Sequence, residues 1–191
     1  MSEGNVFAFV NTTISTIKSV AIEMLKQNKP VFFGCDVRKF SNTDLGVMDT
    51  DLYDYELGFN LSLKMTKAER LKVGNSSVGH AMVLTGVDLD GEGNPTKWRV
   101  ENSWGKDTGK ENAGKEGYFL MTDKWFDEYG YQVVVGFDDA PKELVEVFKE
   151  GKPVVLEAWD AMVCNSLFWE DGADLRARWL VKTGVVLNIV F

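Results

Sequence analysis

The one histidine of this 191-residue chain, His80, is where chemistry has to start. It sits in Val78-Gly79-His80-Ala81-Met82-Val83-Leu84-Thr85-Gly86, with a glycine before it and a β-prone run after it. Alone, such a histidine is an ordinary surface or core residue. Its downstream context changes that reading. Trp98-Arg99-Val100-Glu101-Asn102-Ser103-Trp104-Gly105 reads as a strand ending at an asparagine, and Gly117-Tyr118-Phe119 opens another strand. An imidazole can take the proton of a thiol nucleophile and later pass it to the leaving amine. It needs a third group to fix its tautomer, and a carboxamide oxygen accepts the ring N–H without adding charge. A neighbouring indole shields that bond from water and strengthens it in a low dielectric. Placing His80 at the start of one strand and Asn102 at the end of an adjacent antiparallel strand brings the two side chains together.

The elements that must hold these residues can be read from periodicity and punctuation. Thr12 or Thr13 caps a helix running to about Asn28, with Ile14, Ile17, Ala21, Met24 and Leu25 on one face and Lys29-Pro30 as the stop. Val31 to Cys35 reads as a buried strand, and residues 36 to 77 are less regular apart from a short helix near Lys67 to Lys72. Strands are expected at His80 to Val87, Lys97 to Asn102, Gly117 to Met121, Tyr131 to Val135 and Lys152 to Ala158. Short helices are expected at Lys124 to Glu128, capped by Thr122-Asp123, and from Pro141 to Glu150. Trp125, Phe126 and Tyr129 are expected in the core. Successive strands with scattered helices predict an α+β fold with an antiparallel core.

Composition narrows the function classes. Apolar residues make up 45% and charged residues 26%, the profile of a globular protein. Two cysteines cannot staple a disulfide scaffold, so a reducing, cytoplasmic setting is expected. One histidine and two distant cysteines leave no Cys/His zinc cluster. A formal charge of −8 without a Lys/Arg cluster argues against nucleic acid as a partner. No apolar run reaches the roughly 18 residues of a membrane span. Asp49, Asp51, Asp54 and Glu56 lack the glycine and terminal glutamate of a calcium loop. Asp88 to Asn94 reads as a hairpin turn, and Gly91 and Gly93 precede no helix, so no dinucleotide fingerprint is present. No metal and no cofactor are expected.

Gly79-His80-Ala81, then Val100-Glu101-Asn102-Ser103-Trp104-Gly105, then Gly117-Tyr118-Phe119 resemble the second half of a papain-superfamily cysteine peptidase. Phe33-Gly34-Cys35-Asp36-Val37, Leu52-Tyr53-Asp54, Lys67-Ala68-Glu69-Arg70, Met121 to Phe126 and Ala158-Trp159-Asp160 narrow the resemblance to the bleomycin hydrolase family. It runs from about Asn5 to Met162. It implies the β-rich, antiparallel barrel-like half of a papain-like fold. It also implies a cytosolic cysteine aminopeptidase that acts on peptides, on the bleomycin amide and on homocysteine thiolactone, with homohexamers in full-length relatives. Carried over by position, His80 is the general base, Asn102 orients it, and Trp104 shields their bond.

The chain departs from that family in three places. The family's nucleophile lies in an upstream Gln-Gly…Cys-Trp context with no counterpart here, so the chain alone is expected to be inactive. Cys35 follows an apolar β run, where a thiol is normally inert, and Cys164 falls in a divergent segment. Family members end shortly after Ala-Trp-Asp-Pro-Met-Gly. Here Ala158-Trp159-Asp160-Ala161-Met162 fits, with alanine in place of proline, and residues 163 to 191 leave the pattern. The expected organisation is therefore 1–162 as the His/Asn-bearing half-domain and 163–191 as a divergent tail, read as a read-through or mis-spliced end. The loop Lys106 to Glu116 reads as longer than its counterpart. The alternative to an enzyme part is a non-catalytic binding or regulatory subunit that joins full-length hexamers.

Overall fold

The computed structural model describes residues 8–105, 108, 117–152, 154–155, 178–180 and 188–190. Its first helix, α1 (Ile14–Lys26), starts where Thr13 Oγ1 accepts the Thr16 N–H at 3.2 Å. Ile17, Val20, Ala21 and Met24, spaced for one helical face, are buried against the sheet. The chain then turns through Asn28, whose φ of 59° ends the helix, into β2 (Val31–Cys35).

Around β2 stand β5 (His80–Leu89), β6 (Pro95–Glu101), β7 (Tyr118–Thr122) and β8 (Gly130–Val134). The ladder β7–β6–β5–β2–β8 is antiparallel throughout, as expected. At its margins the sheet becomes mixed. β4 (Val47–Met48) runs parallel to β7 and pairs with β3 (Ser41–Asn42). On the other side, β11 (Asn188–Val190) runs parallel to β8 and antiparallel to β1 (Ala8–Asn11). β10 (Arg178–Leu180) runs parallel to β1 and pairs with β9 (Val154–Val155). Two short strands therefore arise within the 163–191 segment. The rest of that segment, most of the Lys106 to Glu116 loop and the remainder of the strand expected at Lys152 to Ala158 lie outside the described residues.

Aromatic rings fill the core. Phe126 meets Phe33 edge-on at 5.7 Å and Trp98 at 5.1 Å. The two fully buried indoles among the described residues satisfy their N–H groups. Trp98 donates to Asp123 Oδ1 at 3.0 Å, and Trp125 to the Lys39 carbonyl at 2.7 Å. Phe126 and Trp125 come from α4 (Asp123–Tyr129), capped by the Thr122 hydroxyl. α3 (Lys67–Lys72) carries a reciprocal capping box between Thr66 and Glu69. α2 (Tyr55–Phe59) is a single exposed turn capped by Asp54, and α5 (Lys142–Glu150) buries Leu144. Among the described residues no helix is long and apolar enough to cross a membrane.

Candidate active site

His80 is the first residue of β5, and the approach to it is anchored by a buried polar network. Tyr131 donates its hydroxyl to Ser76 Oγ at 2.7 Å, and Ser76 donates to Asp36 Oδ2 at 2.9 Å. The Ser77 N–H donates to the same carboxylate oxygen at 3.3 Å. The Gly79 N–H donates to the Cys35 carbonyl at 3.0 Å. These bonds tie residues 76–79 to the end of β2 and place His80 opposite Cys35 in the ladder. Satisfied buried networks of this kind rigidify what they touch.

Asn102 follows the last residue of β6. Its N–H donates to the Gly117 carbonyl at 3.0 Å, which brackets the turn that carries Trp104. Gly105 and Gly117 both hold positive φ, 85° and 86°, a region that suits glycine. The outcome is a 2.9 Å bond between His80 Nε2 and Asn102 Oδ1. The Ser103 N–H donates to the same oxygen at 2.8 Å. A backbone N–H can only donate, so it fixes which end of the carboxamide faces it. The shared oxygen therefore accepts and the ring Nε2 donates, which leaves Nδ1 as the nitrogen available for proton exchange. Asn102 is 8% exposed. The Trp104 indole lies against the imidazole, with centroids 4.7 Å apart at 32°, and its own edge contact is Phe119. Trp104 is 43% exposed, so it covers the pair as a partly open lid.

Such an arrangement can accept a proton at Nδ1 and hold the resulting imidazolium through Asn102. What it lacks among the described residues is a reactive thiol. Cys35 is fully buried, and burial first, then the Asp36 carboxylate, push its pKa well above the ordinary range. Cys164 lies outside the described residues. Among the described residues no cluster of His, Cys, Asp and Glu could hold a metal ion.

Sequence reasoning singled out His80, Asn102 and Trp104, and the structure brings all three together. It did not find the supports. The Asp36–Ser76–Tyr131 network has no spacing signature. Its only sequence signal is a carboxylate directly after a buried strand.

A curled mixed sheet carrying this imidazole–carboxamide pair at a strand edge defines the β-rich part of a papain-like cysteine peptidase fold. The solved structure of PepW from Lactobacillus rhamnosis HN001 matches it with a TM-score of 0.75 and 44% identity, over 82% of this chain and 38% of that one. The chain belongs to the Peptidase C1-like family, which it matches over residues 1–163. Aminopeptidase C of Lactococcus lactis subsp. lactis is 45% identical over 153 residues, 80% of this chain and 34% of the relative. Human bleomycin hydrolase is 46% identical over 165 residues, 85% of this chain and 35% of the relative. The chain thus spans about a third of the length of the curated relatives it matches. The expected kinship with bleomycin hydrolases and the expected α+β papain-like fold are borne out.

Proposed function

We propose that this chain is the base-bearing part of a cysteine aminopeptidase of the bleomycin hydrolase type. The reaction is hydrolysis of N-terminal peptide bonds and related amides, with bleomycin and homocysteine thiolactone as substrates, in a reducing cytoplasm. His80 is the general base, Asn102 holds its tautomer, and Trp104 screens their bond. The observation that carries this reading is the 2.9 Å His80–Asn102 bond, polarised by Ser103 and covered by an indole. With Cys35 buried and Cys164 in the divergent segment, neither cysteine supplies the thiolate, and the chain alone is not expected to turn over substrate.

Two measurements test this. The purified chain is expected to release nothing from an aminoacyl-coumarin substrate, and turnover abolished by Cys35→Ala would overturn that expectation. Residues 5–162 exchanged into aminopeptidase C of L. lactis are expected to give an active chimera. His80→Ala should then cost roughly 10³-fold or more in kcat, the scale of losing a member of such a triad. A chimera that keeps its activity without His80 removes the reading.

The second reading, a non-catalytic subunit joining full-length homohexamers, is favoured by the burial of Cys35. Co-purification with a full-length relative tests it, and a monodisperse monomer that ignores the relative counts against it.

A further inference from the structure

The β5–β6 ladder stops short of the imidazole–carboxamide pair. Its last register pair is Val83 with Glu101, so His80 lies three residues beyond it on β5, and Asn102 is the residue just past it on the β6 side. From His80 to Met82, β5 pairs only with β2 among the described residues. Asn102 has its own anchor in the Gly117 carbonyl. The 2.9 Å bond between the two side chains therefore depends on two separate supports, and a hydrogen bond tolerates a misfit of only a few tenths of an ångström.

The support on the His80 side converges on Asp36. Residues 76–79 form no helix or strand of their own. The Gly79 N–H goes to the Cys35 carbonyl, and the Ser77 N–H to Asp36 Oδ2. That one oxygen takes the Ser76 hydroxyl as well, and the Tyr131 hydroxyl orients Ser76 by donating to it. Asp36 is itself held, because its N–H donates to the Tyr129 carbonyl at 3.0 Å. Asp36, Ser76 and Tyr131 are all buried, and no Lys, Arg or His among the described residues ion-pairs with Asp36. Hydrogen bonds to a carboxylate are about twice as strong as neutral ones. Here both go to the segment that leads directly into His80.

We propose that Asp36 is the positioning residue of the imidazole. Through Oδ2 it sets where the chain enters β5, and with it the separation of His80 from Asn102. Tyr131 completes the device by fixing the direction of the Ser76 hydroxyl. Asp36 acts through the main chain, not on the reacting atoms. The proposal rests on the reading of His80 as general base, for which a displacement of about 1 Å costs on the order of 10²-fold in rate.

The test is nitrogen NMR of the full chain, whose single histidine makes the ring signals unambiguous. The wild-type chain is expected to show the Nε2–H form bonded to Asn102. Asp36→Leu, similarly branched but without an acceptor, is expected to show a mixture of both neutral tautomers. Asp36→Asn, whose amide oxygen can take both bonds, is expected to restore the wild-type form. Leu144→Ala truncates the core from α5 and is expected to lower the melting temperature with the spectrum unchanged, which separates positioning from a general loss of stability. Tyr131→Phe deletes one hydroxyl from the network, and is expected to show the Asp36→Leu change at smaller size; it carries the test if Asp36→Leu does not fold. In the aminopeptidase C chimera, Asp36→Leu is expected to lower kcat about tenfold or more, with KM within about twofold. A wild-type spectrum in every folded variant among Asp36→Leu and Tyr131→Phe, an Asp36→Asn spectrum as mixed as that of Asp36→Leu, or an unchanged kcat overturns the proposal. Activity that survives His80→Ala in the chimera instead removes the general-base reading, which the spectra do not test.

Discussion

Cys35 and His80 are direct cross-strand partners in the β2–β5 ladder, yet the thiol faces the packed core. Proximity in register does not make a nucleophile. A thiol must ionise to attack, and burial together with Asp36 opposes ionisation here. Native Cys35 is expected to react with iodoacetamide at about pH 8 at least ~100-fold more slowly than after unfolding in urea. Tryptic mass mapping separates it from Cys164. Alkylation of the folded chain at the rate of a free thiol would show that Cys35 is accessible, and would reopen it as the partner of His80.

Asn102 holds the imidazole through one oxygen that also takes the Ser103 N–H. Replacing it with alanine leaves the ring N–H without its acceptor and frees the tautomer. Asn102→Ala is expected to cost about 1 kcal/mol of stability, the usual net worth of one such bond. The more telling readout is nitrogen NMR of the ring. The wild-type chain is expected to show the Nε2–H form, and the variant a mixture of both neutral tautomers. An unchanged spectrum would mean that something other than Asn102 sets the proton.

Lys67 points inward from α3 and is 9% exposed. Its ammonium donates to the Asp127 carbonyl at 2.8 Å and to the Gly130 carbonyl, and lies over the Tyr131 ring. Burial, the largest influence, lowers its pKa from 10.5 to about 7. Asp127 opposes that shift, while Arg70 and Lys18 add to it. Below about pH 7 both folded and unfolded chains carry the proton, so this group adds no pH dependence. Between about pH 7 and 10.5 the unfolded chain holds a proton the folded chain has lost, so stability rises with pH. Relative to Lys67→Met, which fills similar space without the charge, the wild-type chain is expected to gain on the order of a few kcal/mol across that window. Urea titrations at three pH values measure it, and equal slopes in the two proteins would refute it.

These supports also show what a linear reading could and could not reach. α1, α3, α4 and α5 were legible because their caps and apolar spacing are local, and β2, β5, β6, β7 and β8 because each is an apolar or alternating run bounded by turns. β3 and β4 were not legible. Val47 becomes a strand residue only because Leu120, far along the chain, offers it a parallel edge. β1 likewise exists through pairing with residues near 180 and 190. The His80–Asn102 pair was legible because its residue types recur in one order. Lys67 and Arg70 were not, since cations on a short helix read as solvated. Arg70 is instead buried over Tyr129, paired with Glu128 and bonded to the Met65 carbonyl. Tyr129 was rightly expected in the core.

Gly34 and Gly130 look alike in the sequence but face neighbours of very different freedom. Gly130 closes α4 and opens β8, where it pairs with Cys35. A Cβ there would overlap the Phe126 ring and stand 2.8 Å from the Phe126 carbonyl oxygen. That ring is wedged between Phe33 and Trp98 and has nowhere to go. Gly34, in mid-strand, would instead press its Cβ on the Gln132 side chain at 2.6 Å, and that side chain can swing toward solvent. Gly130→Ala is therefore expected to lose about 3 kcal/mol, the scale of overpacking a rigid core. Gly34→Ala is expected to lose under about 1 kcal/mol, because a flexible neighbour yields. Urea midpoints of the two variants decide the matter. Equal losses would mean that the Phe126 ring can move after all, and with it the α4–β8 junction on which Lys67 and Tyr131 rest.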